Sequence, residues 1–86
     1  MFTTRTTEAG VQQAALERLY LRKIREINVK IRRFQVTYND WANADERLRA
    51  HYTREEFLEL FIEPRRNERH DYVLKLRDVR RGIIHT

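Results

Sequence analysis

The chain has 86 residues, with 18 Lys or Arg against 13 Asp or Glu for a net charge of +5, and no cysteine. That length allows one domain, 1–86, and the missing cysteine excludes disulfides, thiolate zinc sites and thiol catalysis. Two Gly, one Pro and 36% charged residues point to an all-α chain with few tight turns. No apolar run approaches the ~18 residues of a spanning helix, and MFTTRTTE lacks the apolar stretch of a signal peptide. The expectation is a soluble, intracellular protein (cytoplasmic, or nucleoid or nuclear if it binds nucleic acid) with no membrane partner.

Residues 1–7 read as a loose tail. Thr6 or Thr7 suits an N-cap, with Glu8 in the first turn where the helix dipole favours an acid. Tyr20, Ile24, Ile27, Ile31, Phe34, Tyr38 and Trp41 then recur at alternating spacings of four and three, a heptad seam. Leu48 and Tyr52 keep its phase, with Asp45 as a polar exception. This predicts one long amphipathic helix over about 8–51.

At Thr53 the phase is lost, and Thr53-Arg54-Glu55-Glu56 forms a capping box. A second helix is expected over 54–62, with Phe57, Leu58, Leu60, Phe61 and Ile62 as its apolar set. Pro64 ends it or opens the next. A third helix is expected over 65–81, with Tyr72, Val73, Leu76, Val79 and Leu74 as candidates for its inner face. Gly82 suits a C′ position, with Ile83 or Ile84 in contact behind it, and 83–86 read as a second loose tail. An alternative is a compact three-helix bundle over 8–38, 43–62 and 65–81, with a turn at Asn39-Asp40 and a capping box at Asn43-Ala44-Asp45-Glu46. The unbroken phase of the seam favours the uninterrupted helix.

A helix over 8–51 is about 65 Å long, whereas the two after it are about 14 and 26 Å. Laid end to end they leave part of the seam uncovered, so the expected state is a homodimer or larger helical bundle. The interface residues are Tyr20, Ile24, Ile27, Ile31, Phe34, Tyr38, Trp41 and Leu48. Their bulk argues for an antiparallel or intertwined arrangement rather than a regular zipper.

Charge is unevenly spread. Residues 20–34 hold six basic side chains against Glu26, residues 40–63 hold three Arg against seven acids, and residues 65–81 are basic again. On the heptad, Arg22, Lys23, Arg25, Lys30, Arg32 and Arg33 fall on the half of the helix away from the seam. Cations on one helix face are what phosphate-backbone binding needs. The expected function is therefore a self-associating, non-enzymatic helical protein that contacts DNA or RNA through those six residues. The alternative is an assembly or adaptor protein in a macromolecular or viral particle, docking a protein partner. The residues Arg65, Arg66, Arg69, Lys75, Arg77, Arg80 and Arg81 either extend the basic surface or pair with the acidic segment.

No catalytic, metal or cofactor site is expected. His51 and Glu55 have metal-ligand spacing but straddle the break at Thr53. His70 and Asp71 are sequence neighbours, which do not face one another on a helix. His85 lies in the tail.

Overall fold

A computed structural model describes the chain from Phe2 to Gly82, and its side chains from Gly10 onward. The order is α1 (Phe2–Asn39), a 3₁₀ turn (Trp41–Asn43), α2 (Glu46–His51), α3 (Arg54–Phe57), a π-helical turn (Leu58–Ile62) and α4 (Glu63–Arg80). The chain is all-α. Segments 54–57, 58–62 and 63–80 run on without interruption as one 27-residue helix. It folds back along α1 as a hairpin with principal extents of 64 × 16 × 16 Å.

The long first helix departs from the sequence expectation at both ends. It begins at Phe2, so Thr6 and Thr7 lie inside it rather than capping it. No Gly or Pro interrupts the chain before Gly10, so no residue there breaks a helix. At the other end it stops at Asn39 instead of continuing to 51. The cause is local side-chain hydrogen bonding by Asn and Asp, which competes with helix continuation. Asn43 donates to Asp40 twice, from its backbone N–H to the carbonyl at 3.0 Å and from its side chain to Oδ1 at 2.9 Å. Asp45, rather than Asn43, caps α2 by accepting the Arg47 N–H at 2.8 Å.

Two stop signals do hold. The Thr53 capping box forms, with Thr53 Oγ1 accepting the Glu56 N–H at 3.1 Å and Glu56 Oε1 accepting the Thr53 N–H at 3.0 Å. This break also keeps α2 from running on to residue 62 as the three-helix alternative required. Gly82 has φ +83°, the left-handed conformation that glycine adopts without steric cost. The expected contacts of Ile83 and Ile84 lie outside the described residues.

Pro64 neither ends a helix nor separates two. Just before it, the Glu63 N–H donates to the Leu58 carbonyl five residues back, the bonding of a π turn. The wider turn puts Phe57 and Ile62 on one side, although five residues in an α-helix stand about 140° apart. Both are buried, at 1% and 0% exposure. Phe61 and Leu58 are half-buried and Leu60 is exposed.

The core is thin. The buried residues are Ile27 and Ile31 of α1 and Phe57, Ile62, Leu76 and Val79 of the C-terminal helix, strung out along the hairpin. An aromatic cluster closes the turn end: Phe57 lies 4.9 Å from Phe61, 5.2 Å from Trp41 and 5.9 Å from Phe34 between ring centroids, and Tyr52 lies 5.2 Å from Phe61. Trp41 and Tyr52 thus continue the inward face without belonging to α1. Tyr20 packs on Tyr72 at 5.9 Å farther along the hairpin. Polar latches fix the antiparallel register, from Gln13 Nε2 to the Val79 carbonyl at 2.8 Å, from Arg69 to Asn28 at 2.9 Å and from Arg66 to Gln35 at 3.0 Å. Arg54 Nε donates to the Tyr38 carbonyl at 2.9 Å while its guanidinium sits 4.3 Å above the Tyr38 ring. It thereby satisfies one of the carbonyls that a helix end leaves without a partner.

The seam of α1 therefore meets the chain's own C-terminal helix. That helix is one rod of about 40 Å, as long as the two expected pieces laid end to end. The 38-residue α1 still outruns it, and the exposed apolar side chains and extended shape hint at an oligomer or partner. Of the eight residues assigned to an oligomer interface, Ile27 and Ile31 are buried within the single chain, whereas Tyr20, Ile24, Phe34, Tyr38, Trp41 and Leu48 stay half-exposed. One helix covers a seam from one side only.

Candidate nucleic-acid interface

The opposite face of α1 is covered by no other described element. Taking ~100° per residue, the stripe turned away from Ile27 contains Val11, Arg18, Arg22, Arg25, Val29, Arg32, Arg33 and Val36. All eight are exposed, the valines at 58%, 46% and 69%. The stripe holds five arginines and no acid. From Arg18 to Arg33 it runs about 22 Å at ~1.5 Å per residue.

Four of the six residues singled out from sequence, Arg22, Arg25, Arg32 and Arg33, lie on this stripe. Lys30 is exposed on its flank, and Lys23 is half-buried toward the C-terminal helix. The stripe also holds Arg18, which is not among those six and precedes Arg22 by four residues, about one helical turn. The local charge balance of the first nineteen residues concealed it, because Glu8 and Glu17 cancel Arg5 and Arg18 in a count that ignores which face each occupies.

These cations are not consumed by the fold. The side chains of Arg18, Arg25, Arg32 and Arg33 make no hydrogen bond or ion pair with another described residue. Arg22 lies 3.9 Å from Glu26 on the border of the stripe, both side chains more than half exposed, a pairing of little energetic weight. The acidic 40–63 segment does not neutralise them, since its described ion pair is local, Glu63 with Arg66 at 2.8 Å.

The second basic cluster divides. Arg66 and Arg69 join the two helices, and Arg65 lies 5.8 Å from the centre of the Phe34 ring. Arg77, Arg80 and Arg81 are exposed and border a groove of about 420 Å³ with Val73 and Leu76 at the open end of the hairpin. His51 and Glu55 fall on either side of the Thr53 cap, as their helix assignments require. His85 lies outside the described residues. Among the described residues no helix is long and apolar enough to cross a membrane.

No protein-family model, curated protein or solved structure matches this chain. A functional reading therefore rests on the residues themselves.

Proposed function

We propose that this chain is a non-enzymatic helical hairpin that binds the backbone of a nucleic acid through the outward face of α1. One observation carries the reading: five arginines share an exposed stripe with no carboxylate on it, while the inward face of the same helix is occupied by packing. Arginine supplies a planar, permanently charged donor set suited to phosphate oxygens. Each neutralised phosphate releases counterions, so affinity falls steeply with salt.

The test is fluorescence anisotropy of labelled duplexes over a salt series. The expected slope of log K against log salt is about −0.9 per phosphate contacted, and charge reversal of Arg18, Arg25 and Arg32 to Glu lowers its magnitude by about two to three. Helix content by circular dichroism stays unchanged, because these side chains support no packing. Binding that is indifferent to salt, or to the triple substitution, refutes the reading.

A second reading, assembly through protein contacts, is favoured by the shape. The radius of gyration is 18.7 Å, against about 12 Å for a compact domain of this length. The accessible surface is 6829 Å², against about 5,500 Å² for a compact monomer of this mass. Leu60 and Val73, on the C-terminal helix, are 55% and 44% exposed. A second hairpin laid against the half-open core, over Tyr20, Ile24 and Val73, would complete a four-helix bundle. Light scattering on the eluting peak, with absorbance at 260 and 280 nm, separates the outcomes. A dimer carrying nucleic acid supports both readings, a clean dimer supports assembly alone, and a clean monomer at micromolar concentration removes the second.

A further inference from the structure

The valines on the arginine stripe call for an explanation that backbone binding does not provide. Phosphates offer nothing to an apolar side chain, yet Val29 and Val36 stand at 46% and 69% exposure in the middle of the charge. Their placement is orderly. At ~100° per residue, Val29 and Val36 lie along the crest of the outward face. Arg25 and Arg32 lean to one side of that crest, and Arg22 and Arg33 to the other. The face therefore has an apolar ridge with cations on both slopes.

We infer that α1 enters the major groove of B-form DNA, with Val29 and Val36 against thymine methyl groups on the groove floor and the arginines on the phosphates of its two walls. The inference rests on the nucleic-acid reading above and narrows it to a duplex class. Size agrees, because an α-helix with side chains is about 10–12 Å across and the B-DNA major groove is about 12 Å wide. Access agrees as well, since the outward edge of the hairpin is a single helix with no other described element packed beside it on that face. The major groove of A-form RNA is too deep and narrow for side chains to read, so a duplex of RNA offers only its phosphates. The thymine C5 methyl is the apolar group that the DNA major groove displays, and it gives exposed valines a partner that phosphate lacks. The segment at the centre of the contact, 25–33, is about 12 Å long, with both walls in reach of its arginines.

The experiment compares the full chain on four duplexes of equal length at one salt concentration: A·T-rich DNA, the same DNA with deoxyuridine for thymidine, G·C DNA, and RNA. The A·T-rich DNA is expected to bind at least tenfold more tightly than the RNA. Removing the methyl groups is expected to weaken binding about fourfold for each methyl contacted, the effect of one buried methyl-sized group. The double variant Val29→Ser, Val36→Ser is expected to abolish the thymidine–deoxyuridine difference and keep the salt slope, since neither valine belongs to the core. Equal affinity for DNA and RNA, or no effect of deoxyuridine, overturns the major-groove inference while backbone binding stands. Salt-sensitive binding to none of the four duplexes overturns both.

Discussion

Phe57 and Leu60 are read alike in the sequence, as two apolar residues of one cluster, and the structure assigns them opposite weights. Phe57 is 1% exposed and touches Phe34, Trp41 and Phe61, so it joins α1, the 3₁₀ turn and the C-terminal helix. Leu60, three residues on, is 55% exposed. Truncating a buried phenylalanine to alanine costs about 3–5 kcal/mol, and this site should fall in the upper half because three ring contacts are lost with the area. A domain of 86 residues has a total stability of about 4–13 kcal/mol, so Phe57→Ala removes a third of it or more. At about 4–8 °C per kcal/mol for a domain of this size, the melting temperature should fall by about 16 °C at least. Leu60→Ala should cost less than about 1 kcal/mol. Thermal and urea unfolding followed by circular dichroism at 222 nm would measure both, at two protein concentrations because association raises apparent stability. Equal losses for the two variants, or a Phe57→Ala loss below about 1 kcal/mol, would refute the packing argument.

Three further outcomes are expected. Thr53→Ala removes the hydroxyl of the capping box and should destabilise the hairpin by about 1 kcal/mol, read by urea midpoint at unchanged slope. Arg54→Ala loses both the bond to the Tyr38 carbonyl and the ring contact, a combined cost of about 1–2 kcal/mol. Arg54→Lys should recover only part of that loss, because lysine cannot present the same planar donor above the ring. Gly82→Ala forces a β-carbon into the left-handed region and should cost up to about 1 kcal/mol, visible as increased amide exchange in the last turn of α4.

Much of the hairpin was legible in the spacing of its apolar residues. Ile27 and Ile31 announced the inward face of α1, and Leu76 and Val79 that of α4, because burial against one neighbour imposes a helical period. The Thr53 box marked a true start because its two bonds are made between residues three apart. The seam misled where it crossed Asn39. Trp41 and Tyr52 hold their phase by wrapping onto Phe57 and Phe61 from a 3₁₀ turn and an extended residue beyond α1, and a one-dimensional pattern does not distinguish that from a continuing helix. Pro64 misled for another reason. A proline inside a helix signals a break, and only the turn before it reveals how the break is avoided. The arginine stripe was partly legible, since Arg22, Arg25, Arg32 and Arg33 follow from the period alone. Arg18 was hidden by counting charge along the chain instead of around the helix.

The five-residue turn ahead of Pro64 has a consequence for how this hairpin tolerates changes in length. It amounts to a helix carrying one surplus residue, and Leu60, its exposed apolar member, contributes little burial. Excising Leu60 together with Pro64→Ala would leave an ordinary α-helix in which Phe57 and Ile62 become four apart and still point the same way. A one-residue deletion elsewhere in 63–80 would instead rotate Leu76 and Val79 away from α1. The turn thus gives the C-terminal helix a place where it can be shortened without scrambling its alignment on α1.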